Sequence, residues 1–153
     1  MGVKIDVSQI EKFQQQLKAL NAAQRDQFMR DSCVEGANRL IALVKPLTPV
    51  DHGTLRAGWD NAAAKLSANG VTTSAGSGGT GYSVDVENAV PYASYVEYGH
   101  RQTPGRYVPA IGKRLTASWV EGRHMLETAE GTLQTVWPPA LKATLEAFLR
   151  TVL

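Results

Sequence analysis

Cys33 is the chain's one cysteine, so no disulfide can form within it, and a reducing compartment suits it. No apolar run approaches the ~20 residues that a bilayer-spanning helix needs. The opening MGVKIDVSQIEKF lacks the apolar stretch of roughly 7–15 residues found in a signal peptide, and turns charged at once. Charge of one sign is also scarce. The formal net charge is +2, too small to draw a nucleic acid or a membrane by global attraction, so any such partner must rest on a local patch. These absences lead to the expectation of a soluble protein, made and kept in a cytoplasm, with no membrane partner.

What is present is ordinary globular material. The 153 residues are 43% hydrophobic and 20% charged, enough for one domain over 1–153 and short for two. Ser8 and Glu11 read as a capping box opening a helix over about 8–20, with Ile10, Phe13, Leu17 and Leu20 as its stripe. A second helix is expected over about 24–44, with Phe28, Met29, Cys33, Ala37, Leu40, Leu43 and Val44 as its stripe and Pro46 and Pro49 as its stop. Cys33 within that stripe reads as a small buried hydrophobe rather than a reactive thiol. Strands are expected within about 59–88 and 106–120, including 71–75 and 82–87, with Asn69-Gly70 as a turn signal. In the second of these, Tyr82, Val84 and Val86 alternate with Ser83, Asp85 and Glu87. Helices over about 125–136 and 139–152 close the chain, parted at Trp137-Pro138-Pro139. The order predicts an α+β fold: N-terminal helices, an antiparallel β-sheet with long hairpin loops, and C-terminal helices.

Gly76, Gly78 and Gly81 have the G-x-G-x-x-G spacing of a dinucleotide-binding turn, with Glu97 about twenty residues beyond the first glycine. That fingerprint must close a strand and open a helix, because the helix N-terminus holds the pyrophosphate. Here the period after Gly81 is two, so a strand follows, and the GSGGTG stretch reads as a flexible hairpin loop. G-x-x-x-x-G-K-[ST] does not occur either. His52, His100 and His124 lack zinc spacing, and no G-x-S-x-G elbow accompanies the Asp51-His52 pair. No catalytic constellation is found and no cofactor is expected, so the chain is not read as an enzyme.

One stretch departs from the surface average. From His100 to His124 there are five cations (Arg101, Arg106, Lys113, Arg114, Arg123) and one acid, Glu121. Tyr107 and Trp119 are interleaved, and Tyr92, Tyr95 and Tyr98 lie just upstream. Arginines mixed with aromatics suit a protein interface. A nucleic-acid groove and an ordinary solvated face stay open as alternatives.

Three segments together resemble a known family. Thr48-Pro49-Val50-Asp51-His52-Gly53-Thr54-Leu55-Arg56 is similar to its T-P-V-D-T-G-x-L-R signature. Residues 90–101, VPYASYVEYGHR, resemble its V-x-Y-A-x-Y-V-E-Y-G-H-R segment, and residues 119–126, WVEGRHML, its W-V-x-G-R-x-M-L segment. The family is the tail-component group of long-tailed bacteriophages, the tail-completion, neck or head–tail joining proteins. His52 departs from its usual Thr or Ser, and Glu121 from its frequent Pro.

The resemblance implies a structural virion protein at the head–tail junction, assembled in the bacterial host cytoplasm and working as a ring, most often hexameric. Its partners would be copies of itself, adjacent neck and tail proteins, and DNA passing through the channel. Under it, Asp51 and Gly53 form a structural turn. Tyr92, Tyr95, Glu97, Tyr98, His100, Arg101, Arg106, Tyr107, Trp119 and Arg123 would make the subunit and partner interface, with Glu97 able to pair with Arg101. The loops around Gly78 and Pro104 would order on assembly. The alternative is a nucleic-acid-binding module using the basic, Tyr-rich segment 92–124.

Overall fold

The computed structural model describes Lys18 and residues 21–69, 72–76 and 79–152; the expected first helix, its Ser8 capping box and Gly78 lie outside them. The first described helix, α1, spans Ala22–Leu47. It starts earlier than its apolar stripe because Asn21 and Gln24 cap it reciprocally: the Asn21 side chain accepts from the Gln24 amide at 2.8 Å, and the Gln24 side chain accepts from the Asn21 amide at 3.1 Å. Pro46 does not stop the helix, which takes it into its last turn. Pro49 does, by holding Thr48 extended at ψ 121°. Of the expected stripe, Ala37 and Val44 are buried, but Met29 is exposed, and Ser32, Gly36 and Ile41 share the buried face instead. Cys33 is half-buried, and burial pushes its thiol up.

The next element corrects the sequence reading. Thr54–Asn69 is a helix, α2, where strands were expected from Trp59 onward. Leu55, Trp59 and Ala62 recur at helical spacing and are all buried, a stripe too short and too small to stand out among alanines and polar residues. A hairpin follows. Strand β1 (Thr72–Gly76) pairs antiparallel with β2 (Gly79–Ser83), with Gly76 opposite Gly79. Gly76, Gly79 and Gly81 are therefore strand residues rather than parts of a flexible loop, and no helix follows them.

Helix α3 spans Ala93–Tyr98. Beyond it β3 (Gly99–Arg101) pairs with β6 (Trp119–Glu121), and β4 (Tyr107–Val108) pairs with β5 (Lys113–Arg114). Bonds from the amides of Gln102 to Ser118, Gly105 to Leu115 and Leu115 to Arg106 join the two pairs into one long ribbon. Among the described residues there is thus no broad sheet, but three two-stranded pieces within a mixed α+β fold.

Helix α4 runs unbroken over Met125–Val152, where two helices parted near Pro138 were expected. The prolines withhold amides from the Gln134 and Thr135 carbonyls, and all four of these residues lie on the exposed side, where water can replace the bond. Packing against α1 holds the helix together across the interruption: Phe28 stacks on Phe148 at 4.8 Å, and Arg39 lies 5.3 Å over the Trp137 ring. The core lies where α1, α2 and the start of α4 meet, around Val44, Leu55, Trp59, Met125 and Ala129.

Candidate partner interface

The Thr48–Arg56 segment builds the corner on which the rest is set. The Thr48 hydroxyl donates to the Val44 carbonyl at 2.8 Å and accepts from the Trp59 indole at 2.9 Å, all buried. Arg56 reaches back to the Thr48 carbonyl at 3.1 Å. Gly53 takes φ +79° and its carbonyl accepts from Ala57, opening α2. Asp51 and His52 stand out in solvent, 3.6 Å from each other.

Segment 84–98 is then fixed to that corner. The Asn88 side chain donates to the Leu55 carbonyl at 2.8 Å and accepts from the Val90 amide at 3.2 Å. It sits where a side chain on Gly58 would stand. Val84, Val86, Val90, Ala93 and Val96 pack on the core. This turns the opposite face of α3 outward, and Tyr92, Tyr95 and Tyr98 are exposed there, Tyr98 by 66%.

Glu97 is the one interface candidate that the fold removes from the surface. It is 5% exposed, and its carboxylate accepts from the amides of Leu126 and Glu127 at 3.0 and 3.1 Å. It therefore caps α4 and does not pair with Arg101. The positive end of the helix and two amides lacking intrahelical partners explain the buried charge. The same junction is closed by amide bonds from Arg123 to the Val96 carbonyl, 2.7 Å, and from His124 to the Glu97 carbonyl, 3.0 Å. His124 adopts φ 47°, and its ring meets Glu127 at 2.9 Å. Gly99 and Gly122 cross with no room for a side chain: a Cβ on Gly122 would overlap the Glu97 carbonyl, and one on Gly99 the Val120 carbonyl.

From this clamp the ribbon 99–121 extends as an arm. Every residue from Thr103 to Ser118 is exposed except Val108 and Leu115. Arg101 stands opposite Trp119 across the β3–β6 pair, and both are exposed. His100 is half-buried, its ring 5.7 Å from that of Tyr95. Arg106 and Arg123 are exposed, and Tyr107 lies under the Arg114 guanidinium at 5.9 Å. Arg114 also donates to the Gly105 carbonyl at 2.7 Å, a bracing role that its place in a run of cations did not reveal. Ile111, exposed at the turn, was missed as well.

The structure therefore brings Tyr95 to His100, Arg101 to Trp119 and Tyr107 to Arg114 beyond the Glu97 junction, while Asp51 and His52 lie on the Thr48–Arg56 corner and line one cavity with Tyr92 and Val96. Among the described residues no group of His, Cys, Asp and Glu could hold a metal ion, and no helix is long and apolar enough to cross a membrane.

The model of the HK97-gp10-like family, whose reference is the bacteriophage HK97-gp10 tail component, matches residues 11–99 of the chain's 153. No curated protein and no solved structure matches. The matched span takes in the Thr48–Arg56 corner and the whole of α3, and ends at Gly99 where the arm begins.

Proposed function

Because the chain belongs to the HK97-gp10-like family of bacteriophage tail components, we propose that it is a neck or tail-completion subunit that joins head to tail as a ring, hexameric by preference. It is a structural part of the virion, and residues 92–124, without the buried Glu97, are its contact surface. The observation that carries this is the exposure of Tyr95, Tyr98, Tyr107 and Trp119 beside Arg101 and Arg123 on a surface anchored to a buried clamp. Large aromatics and arginines left open to water are what interface hot spots are made of, and a rigid base lowers the ordering cost of binding.

An Arg101→Ala, Arg123→Ala double variant tests it. Both residues are exposed, so the chain should fold normally yet leave heads and tails unjoined. Normal yields of infectious particles would overturn the role given to this surface.

The four cations of the arm, Arg101, Arg106, Lys113 and Arg114, favour a second reading, a surface that grips nucleic acid. Phosphate contacts release counterions, so such a complex would weaken steeply with salt, whereas an aromatic protein interface would change little. Titration against duplex DNA at two salt concentrations separates them.

A further inference from the structure

Beyond β2 the alternation of buried and exposed side chains keeps a period of two through Val90. Val84, Val86 and Val90 pack on the core, while Asp85, Glu87 and Ala89 are exposed. Among the described residues no backbone hydrogen bond reaches positions 84–89. A row of free N–H and C=O groups next to two outward carboxylates is a ready template for another strand. The arm has the opposite character. Its strands pair only with each other among the described residues, so each keeps a free outer edge. Between Tyr98 and Val120 it carries Arg101, Arg106, Lys113 and Arg114 and no acid.

We infer that the arm of one copy lies as an added strand along residues 84–89 of the next copy, its cations facing Asp85 and Glu87. Strand addition satisfies the free backbone groups of both partners, and opposite charges on facing strands favour that pairing over others. Arm and edge are different surfaces of the same chain, so the contact is head-to-tail. Repeated, it closes into a ring if the rotation allows. This rests on the ring reading above and names the contact that would make the ring.

Sedimentation velocity on the full chain over a range of concentrations tests it, with hydrogen exchange at residues 84–89. Three variants are compared: Asp85→Lys with Glu87→Lys on the edge, Arg106→Glu with Lys113→Glu on the arm, and all four together. The wild type should associate, and its 84–89 amides should gain protection as it does so. Each double variant should associate at least about tenfold more weakly, since like charges then face each other, and the fourfold variant should recover. All the altered side chains are exposed, and helical circular dichroism confirms folding. If the edge variant does not fold, the arm variant and the exchange data carry the test.

A wild type that stays monomeric throughout overturns the inference, as does a folded double variant that associates normally or a folded fourfold variant that does not recover. Protection of 84–89 in dilute monomers also overturns it, because the edge is then paired within one chain. Particle assembly reports the neck role separately. Infectious particles built by a chain whose association ignores these charges would sink the contact and leave the neck role standing. Charge-dependent rings in a chain not needed to join heads to tails would do the reverse.

Discussion

The Glu97 carboxylate accepts the amide of Leu126 at 3.0 Å across 29 positions of sequence. A residue beside the C-terminal end of α3 thereby caps α4, and the platform that bears the exposed tyrosines is locked to that long helix. Gly99 and Gly122 allow this approach, since Gly99 lies against the Val120 carbonyl and Gly122 against the Glu97 carbonyl and the Gly99 amide nitrogen.

Removing that carboxylate should cost stability before it touches association. Glu97→Ala leaves two part-buried amides at the start of α4 without an acceptor and should lower unfolding free energy by about 1–2 kcal/mol. Glu97→Gln keeps an acceptor oxygen and should cost less. Urea unfolding followed by circular dichroism measures both. Equal losses in the two variants would mean that the carboxylate's charge and its second oxygen, rather than an acceptor as such, decide the cap.

Thr48→Val keeps the shape of the corner but deletes the hydroxyl shared by Val44 and Trp59. The buried indole N–H then has no partner, and a loss of about 1–3 kcal/mol is expected. Tryptophan fluorescence during unfolding reads it, and an unchanged midpoint would remove Thr48 from the account of the corner.

Tyr82 ties the hairpin to α1 through a 2.8 Å bond from its hydroxyl to Asp26. The Arg30 hydrogen bond, and after it the one from Tyr82, hold the Asp26 carboxyl below its usual range, and the bond to Asp26 pushes the Tyr82 phenol up. A lowered carboxylate adds stability above its unfolded value near pH 4, and that stability is lost as pH falls through the folded value. A raised phenol adds stability below its unfolded value near pH 10, lost as pH rises through the folded one. The stability difference between wild type and Tyr82→Phe should therefore be level between about pH 5 and 9 and shrink at both ends. Denaturation midpoints measured from below that range to above it test the prediction, and a difference independent of pH would show that the ring's packing, not its hydroxyl, holds the hairpin.

The parts of the fold legible in the sequence are those written in local periodicity. The apolar spacing of α1 and α4 marks them as helices. The alternation Tyr82–Val84–Val86 foretells a strand-like segment, which rules out the dinucleotide reading of the glycines before it. The misreadings occurred where a local signal meets a distant contact. Three apolar positions on α2 were too few to outvote its small and polar neighbours until α1 covered them. Two prolines read as a break in α4, yet the helix packs on α1 on both sides of them. Glu97 looked like half of an (i, i+4) ion pair, and only the arrival of α4 gave its carboxylate two better partners.

The sequence by itself determined the helical character of α1 and of the two halves of α4, the period of two running from Tyr82 to Val86, and a run of cations free of acids, because each depends on neighbours a few positions apart. Tertiary structure alone decided that Glu97 is buried while Tyr95 and Tyr98 are exposed, and that residues 99–121 form an arm. Burial of a charge and exposure of an aromatic are set by which surfaces meet, and those surfaces come from positions distant in sequence, 29 residues apart for Glu97 and Leu126.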